Sequence, residues 1–243
     1  MESRCETATL EWLPESSEKA PACYAALGTA MSLMDRLVSC SWGCSGSDHA
    51  AERLAGRAYH AVRAGLLLWR RGSYDEALVM ARSVGEVANL LLLFHFDAQA
   101  FASWKQLPDK ERWKEFRPVK VRERLERLGG PLVFGEERYS SSSRLGVHPN
   151  PERTPGRFDP TGRPKGAGYF QAIGALTVLN EIALGVVWAG AAAAGIAEIP
   201  DDKKMAVSAA CAAVDEKIGG FQAHRLKAAQ DGLLQHLASQ APG

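Results

Sequence analysis

Apolar residues recur along this chain every three to four positions, while the strict alternation of a half-buried strand is nearly absent. The pattern predicts a first helix from Pro21 to Val38, ending in the turn-rich stretch Ser39 to Ser47 with Gly43 and Gly46 as breakers. Asp48 can cap a second helix reaching Arg71, whose apolar line passes through Leu54, Ala58, Val62, Gly65 and Trp69 before Gly72 stops it. Ser73, with Glu76 three positions on, has capping-box spacing and opens a third helix to Phe96. That helix is nearly all apolar after Asn89, so it belongs at the centre of a bundle. The link between the second and third helices is very short, which makes them an antiparallel hairpin.

From Asp97 to Leu128 the chain turns charged and shorter-helical, with Pro108 and Pro118 setting helix starts. Gly129-Gly130-Pro131 is a break, and a short helix is expected over Glu136 to Gly146. A long loop, His148 to Gly168, then carries Pro149, Pro151, Pro155, Pro160 and Pro164. A second long apolar helix runs from Tyr169 to Ile196. It is followed by a helix from Pro200 to Lys217, a Gly219-Gly220 separator and a final helix to about Leu237. The expected fold is all-α: a bundle of about seven to nine helices around two long apolar helices, with one long Pro-rich loop. Residues 1–20 read as an acidic, loose N-terminal arm and residues 21–243 as a single helical domain. Repeats of solenoid period are not visible.

Composition changes this picture little. Hydrophobic residues make up 46% and charged residues 23%, which is globular rather than disordered. With 29 basic and 28 acidic side chains the net charge is +1, not the overall footprint of a dedicated nucleic-acid binder. Charge is uneven, however. Lys105 to Arg127 holds nine basic residues against five acidic, and Arg138 to Lys165 six against two, so each segment is net +4 and could hold phosphates. Ile182 to Ala197 has no charge over sixteen residues, but more than half of it is Ala or Gly. Spanning a bilayer takes about 20 strongly apolar residues, so a buried helix is expected and no membrane. The five cysteines, Cys5, Cys23, Cys40, Cys44 and Cys211, are sparse and odd in number, and read as reduced thiols of a cytoplasmic protein. Cys40 and Cys44 have no second pair to complete a zinc site, and the acidic N-terminus does not resemble a signal peptide. No cofactor or metal is expected.

Candidate chemistry rests on polar residues set in apolar helices, because an unpaired buried charge is costly. Arg82 and Glu86 lie four apart on one face of the third helix, with Asn89 a turn further on. Asn180 and Glu181 interrupt the second apolar helix in the same way. His148 stands where Ser140-Ser-Ser-Ser-Arg-Leu-Gly-Val gives way to the Pro-rich loop, a placement that suits a general base or a helix-end contact. A Gly-x-Ser-x-Gly elbow, a phosphate-binding Gly-rich loop and His-Glu-x-x-His are all missing from the chain.

From Ala51 to about Trp188 the order of motifs resembles a group of uncharacterised bacterial helical proteins. In that group an Arg-x-x-x-Glu helix is followed by an Arg-rich segment, a Ser…His-Pro stretch and a long apolar helix. The matching elements are Arg82-Ser-Val-Gly-Glu86, Arg117-Pro-Val-Lys-Val-Arg122 and Ser142-Ser-Arg-Leu-Gly-Val-His148-Pro. More distantly the chain resembles the HEPN ribonucleases, helical bundles that are often dimeric and carry an Arg followed four to six residues later by His. Here Arg144 and His148 have three residues between them, and Arg53 and His60 have six but lie early in the bundle. The resemblance implies a homodimer, an RNA partner and toxin or phage-defence roles.

Two functional expectations follow. One is a binding or regulatory module with an architectural Arg82–Glu86 pair. The other is a metal-independent RNA-cleaving enzyme, with His148 as base on a ribose 2′-hydroxyl and Arg82 or Arg117 stabilising phosphorane charge. On either reading the tentative polar cluster is His148, Arg82, Glu86 and Arg117.

Overall fold

The computed structural model describes residues 2–16, 19–43, 48–143 and 168–222. Among these the protein is all-helical, with ten helices: α1 (Glu2–Glu15), α2 (Lys19–Val38), α3 (Ala50–Arg70), α4 (Tyr74–Phe96), α5 (Ala98–Gln106), α6 (Asp109–Glu115), α7 (Pro118–Arg127), α8 (Glu136–Ser142), α9 (Ala172–Ile196) and α10 (Asp201–Gln222).

The two long apolar helices, α4 and α9, lie against each other at the centre, with α3 packed on both and α10 on α2 and α9. Both are long and apolar enough to cross a membrane, but most of each apolar window is buried inside the bundle, the condition of a core helix. Small residues let the two axes approach: a Cβ on Gly185 of α9 would lie 2.6 Å from Val84 of α4. The α3–α4 hairpin turns at Gly72, whose φ of +75° favours glycine. Trp69, fully buried, donates its indole N–H to the Ala175 carbonyl at 2.7 Å and stacks on Tyr24. The Tyr74 hydroxyl accepts from the Gln171 N–H at 3.2 Å, so the hairpin grips the start of α9.

Several boundaries differ from the sequence pattern. The acidic N-terminal stretch forms α1, which buries Cys5, Thr9 and Leu13 and pairs Glu6 with Arg70 at 2.6 Å. The buried positions fall four apart, a narrow helical stripe on an otherwise charged segment. Ser73 occupies the N-cap of α4, but at ψ 67° it is outside the extended conformation a capping side chain uses, and the capping bond is not made. Residues 168–170 are not helical and Gln171 is extended, so α9 starts at Ala172 rather than Tyr169. Gly219-Gly220 does not end a helix, since α10 continues through it to Gln222. Asp48 does bond the α3 terminus, accepting from the Ala50 N–H at 3.1 Å. Residues 221–222 of the expected final helix are the end of α10; its remainder to Leu237 and the Pro-rich loop's residues 148–167 lie outside the described residues.

Candidate functional site

One face of α4 organises the polar centre of the protein. Arg82, Gly85, Glu86 and Asn89 follow the i, i+3, i+4, i+7 spacing of a single helical stripe. The segment 133–143, reaching through α8, lies along it. At one end the Asn89 amide is buried and fully engaged: Oδ1 accepts from the N–H groups of Val133 (3.1 Å) and Phe134 (3.3 Å), and Nδ2 donates to the Phe134 carbonyl (3.0 Å). An asparagine is suited to this because one side chain supplies both acceptor and donor to a backbone with no ladder of its own. In the middle, Gly85 gives the Phe134 ring room. A Cβ there would lie 2.7 Å from Phe134 Cγ and closer still to the ring edge.

At the other end the charged groups gather round Tyr139. Arg82 donates from Nε to Glu86 Oε1 at 2.9 Å and from Nη1 to Ser143 Oγ at 2.8 Å, and its guanidinium carbon lies 4.1 Å from the Tyr139 ring centre. The Ser143 hydroxyl in turn donates to the Tyr139 carbonyl at 2.7 Å. From α7, Arg122 lies 4.6 Å from the same ring centre and pairs through Nη2 with Glu136. Its side chain is 8% exposed, and Nη1 is buried without a hydrogen-bond partner among the described residues. Arg138 of α8 reaches α9 and bonds Glu181 at 3.2 Å. Burial pushes the Glu181 carboxyl above its ordinary range, and Arg138 opposes the shift. Two arginines, each paired with a glutamate, thus meet one aromatic ring, and a third Arg–Glu pair ties α8 to α9 beside it, so that cation–π and ion-pair contacts reinforce each other.

The expected cluster is assembled only in part. Arg82 and Glu86 are paired as the spacing implies. Arg117 stands exposed at the N-cap of α7, and Arg122, five residues on in the same motif, is the α7 arginine that joins Tyr139. His148 lies outside the described residues. Glu181 does find a charge partner. Its neighbour Asn180 instead lines a small void with Cys23, Leu179 and Ile218, and neither of its amide atoms is bonded among the described residues. Sequence reading missed Glu136, Arg138, Tyr139 and Ser143 as site residues. Their signal was the spacing of Glu136, Tyr139 and Ser143, which puts acid, ring and hydroxyl on one face of a short helix.

The basic segment Lys105 to Arg127 is likewise partly spent inside the fold. Lys105, Arg112, Lys120, Arg122 and Arg124 each pair with an acid, and Arg124 meets Asp97, the N-cap of α5. Among the described residues no group of three or more His, Cys, Asp and Glu side chains is arranged to hold a metal ion.

The chain matches no protein-family model, no curated protein and no solved structure. The short motifs and the geometry above are therefore what a functional reading has to rest on.

Proposed function

We propose that the chain is a soluble, cytoplasmic helical binding or regulatory module, in which the arginine–glutamate network is a clamp holding α8 on the bundle. The observation that carries this reading is the engagement of Arg82. Its Nε and Nη1 are taken by Glu86 and Ser143, and its face lies on Tyr139. An arginine that stabilises charge developing on a phosphorane presents its N–H groups to the reacting atoms. Here Nε and Nη1 are each given to a side chain of the protein itself, as expected of an ion pair that fixes register. The burial of α4 and α9 within the bundle supports the soluble reading.

A second reading, the metal-independent ribonuclease with His148 as base, has one observation in its favour. The Ser143–Arg82 hydrogen bond ties the chain to the network five positions before His148. One experiment separates the two. Incubated with single-stranded RNA in excess chelator, the protein is expected to leave the RNA intact. Cleavage by the parent protein that disappears in His148→Ala would replace the module by the enzyme. A homodimer and RNA contact through Lys105–Arg127 and Arg138–Lys165 belong to the same proposal, and sedimentation and salt-dependent RNA retention test them.

A further inference from the structure

Away from the network, α2 and α3 leave an open groove of about 460 Å³, within the size range of small-molecule sites. One wall is a stripe of α2 running from Tyr24 through Leu27, Gly28 and Met31 to Asp35, and the other is Tyr59, Arg63 and Leu66 of α3. The stripe spans twelve residues, roughly 16 Å of helix from first to last. The helices are antiparallel, so the groove is graded along its length. At one end Tyr24, Leu27 and Leu66 make an apolar trough, backed by the buried Tyr24–Trp69 stack. At the other end stand Asp35, Arg36, Tyr59 and Arg63. Tyr59 shares hydrogen bonds with both the Asp35 carboxylate and the Arg63 side chain, whose guanidinium carbon lies 5.7 Å from the Tyr59 ring centre. Arg36 and Arg63, both exposed, leave this end with one net positive charge over Asp35.

We propose that this groove binds a small elongated amphiphile with an anionic head, of the class of a medium-chain carboxylate. The chain lies along the half-buried Tyr24 and Leu66, above the buried Leu27 and Met31, and the head meets the guanidiniums of Arg36 and Arg63. Segregation of polarity along one groove is what carries the assignment. A packing defect between helices has no reason to collect two arginines with Asp35 and Tyr59 at one end, past Ser32, and Tyr24, Leu27 and Leu66 at the other. The charge of the polar end selects an anion over a cation, and arginine forks suit a carboxylate. The site uses none of the network residues. It rests on the binding-module reading and gives it a ligand class.

The test is a calorimetric titration with decanoate, alongside a decyl ammonium salt of the same chain length. The expected result is saturable, one-to-one binding of decanoate below its micellar range, with the ammonium salt at least tenfold weaker. Gly28→Leu should fold as the parent does, because a Cβ at Gly28 meets nothing within 4 Å, while its side chain fills the groove and abolishes binding. Arg36→Gln with Arg63→Gln, on the exposed rim, should weaken decanoate about fivefold to tenfold. Equal affinity for both head groups, non-saturable uptake, or full affinity in Gly28→Leu would overturn the proposal. So would concentration-dependent self-association that Gly28→Leu abolishes while decanoate fails to bind, since the groove would then be a contact between copies of the chain. An intact RNA substrate with no decanoate binding would sink this site and leave the clamp standing. RNA cleavage lost in His148→Ala would sink the module reading whatever decanoate does.

Discussion

Asn89→Ala is the perturbation from which most can be learned, because one side chain holds a whole segment. It removes two acceptor contacts, to the N–H groups of Val133 and Phe134, and one donor contact, to the Phe134 carbonyl. Each such bond contributes about 1 kcal/mol net, which sets the loss near 3 kcal/mol. Leaving the three backbone groups buried and unpaired would cost more, about 1–3 kcal/mol each. The segment can escape that penalty by peeling away and meeting water. Peeling forfeits the burial of Val133 and Phe134, which are 4% and 2% exposed, so the escape is itself costly. The expected destabilisation is therefore about 3–5 kcal/mol. It is measured by equilibrium urea unfolding, with hydrogen exchange at Val133 and Phe134 read in parallel. A loss below about 1 kcal/mol, with both amides as protected as in the parent, would refute the reasoning.

Two further predictions concern buried titratable groups. The folded Glu181 carboxyl titrates above its unfolded value, so its contribution to stability is present at acid pH and lost as pH rises through the folded value. Glu181→Gln should thus gain stability relative to the parent as pH rises above about 4 in urea unfolding, and a difference that does not move with pH would show that burial does not raise this carboxyl. Burial pushes the Cys23 thiol up to about 11 and that of Cys211 up to about 12, and raises Cys5 as well. Iodoacetamide at pH 8 should leave these three unlabelled in the native protein and modify them once urea is added, as read by mass spectrometry of peptides. Equal labelling rates in both states would show that the core is open.

The helices around the core were readable because their apolar residues keep the helical period over many turns, as Leu54, Ala58, Val62, Gly65 and Trp69 do in α3. The Arg82–Glu86 pair was readable for the same local reason, a four-residue spacing. What joins distant parts was not. Asn89 stands out as a polar residue in an apolar helix, but its partners lie 44 and 45 positions on, and no local rule connects them. The choice of Arg117 over Arg122 had a usable clue: Val121 and Leu125 mark the inward face of α7, and Arg122 sits beside that face. Gly219-Gly220 looked like a terminator, since each glycine costs a helix about 1 kcal/mol. Val214 and Ile218, buried against the bundle just before it, show that packing sets the course of α10 more than propensity does.

The Gly85–Phe134 contact reports whether the Arg82–Asn89 face of α4 receives the segment 133–143. Alanine is the better helix former by about 1 kcal/mol, so an unobstructed Gly85→Ala should stabilise α4. With Phe134 in place the new methyl must displace a buried ring, which costs about 1–3 kcal/mol or more. The measurement is a double-mutant cycle by urea unfolding over the parent, Gly85→Ala, Phe134→Ala and the double variant. The structure predicts a reversal of sign: Gly85→Ala destabilises the parent and stabilises the Phe134→Ala protein. The same effect in both backgrounds would mean that Phe134 does not lie on α4, and the clamp built on that face would fall with it.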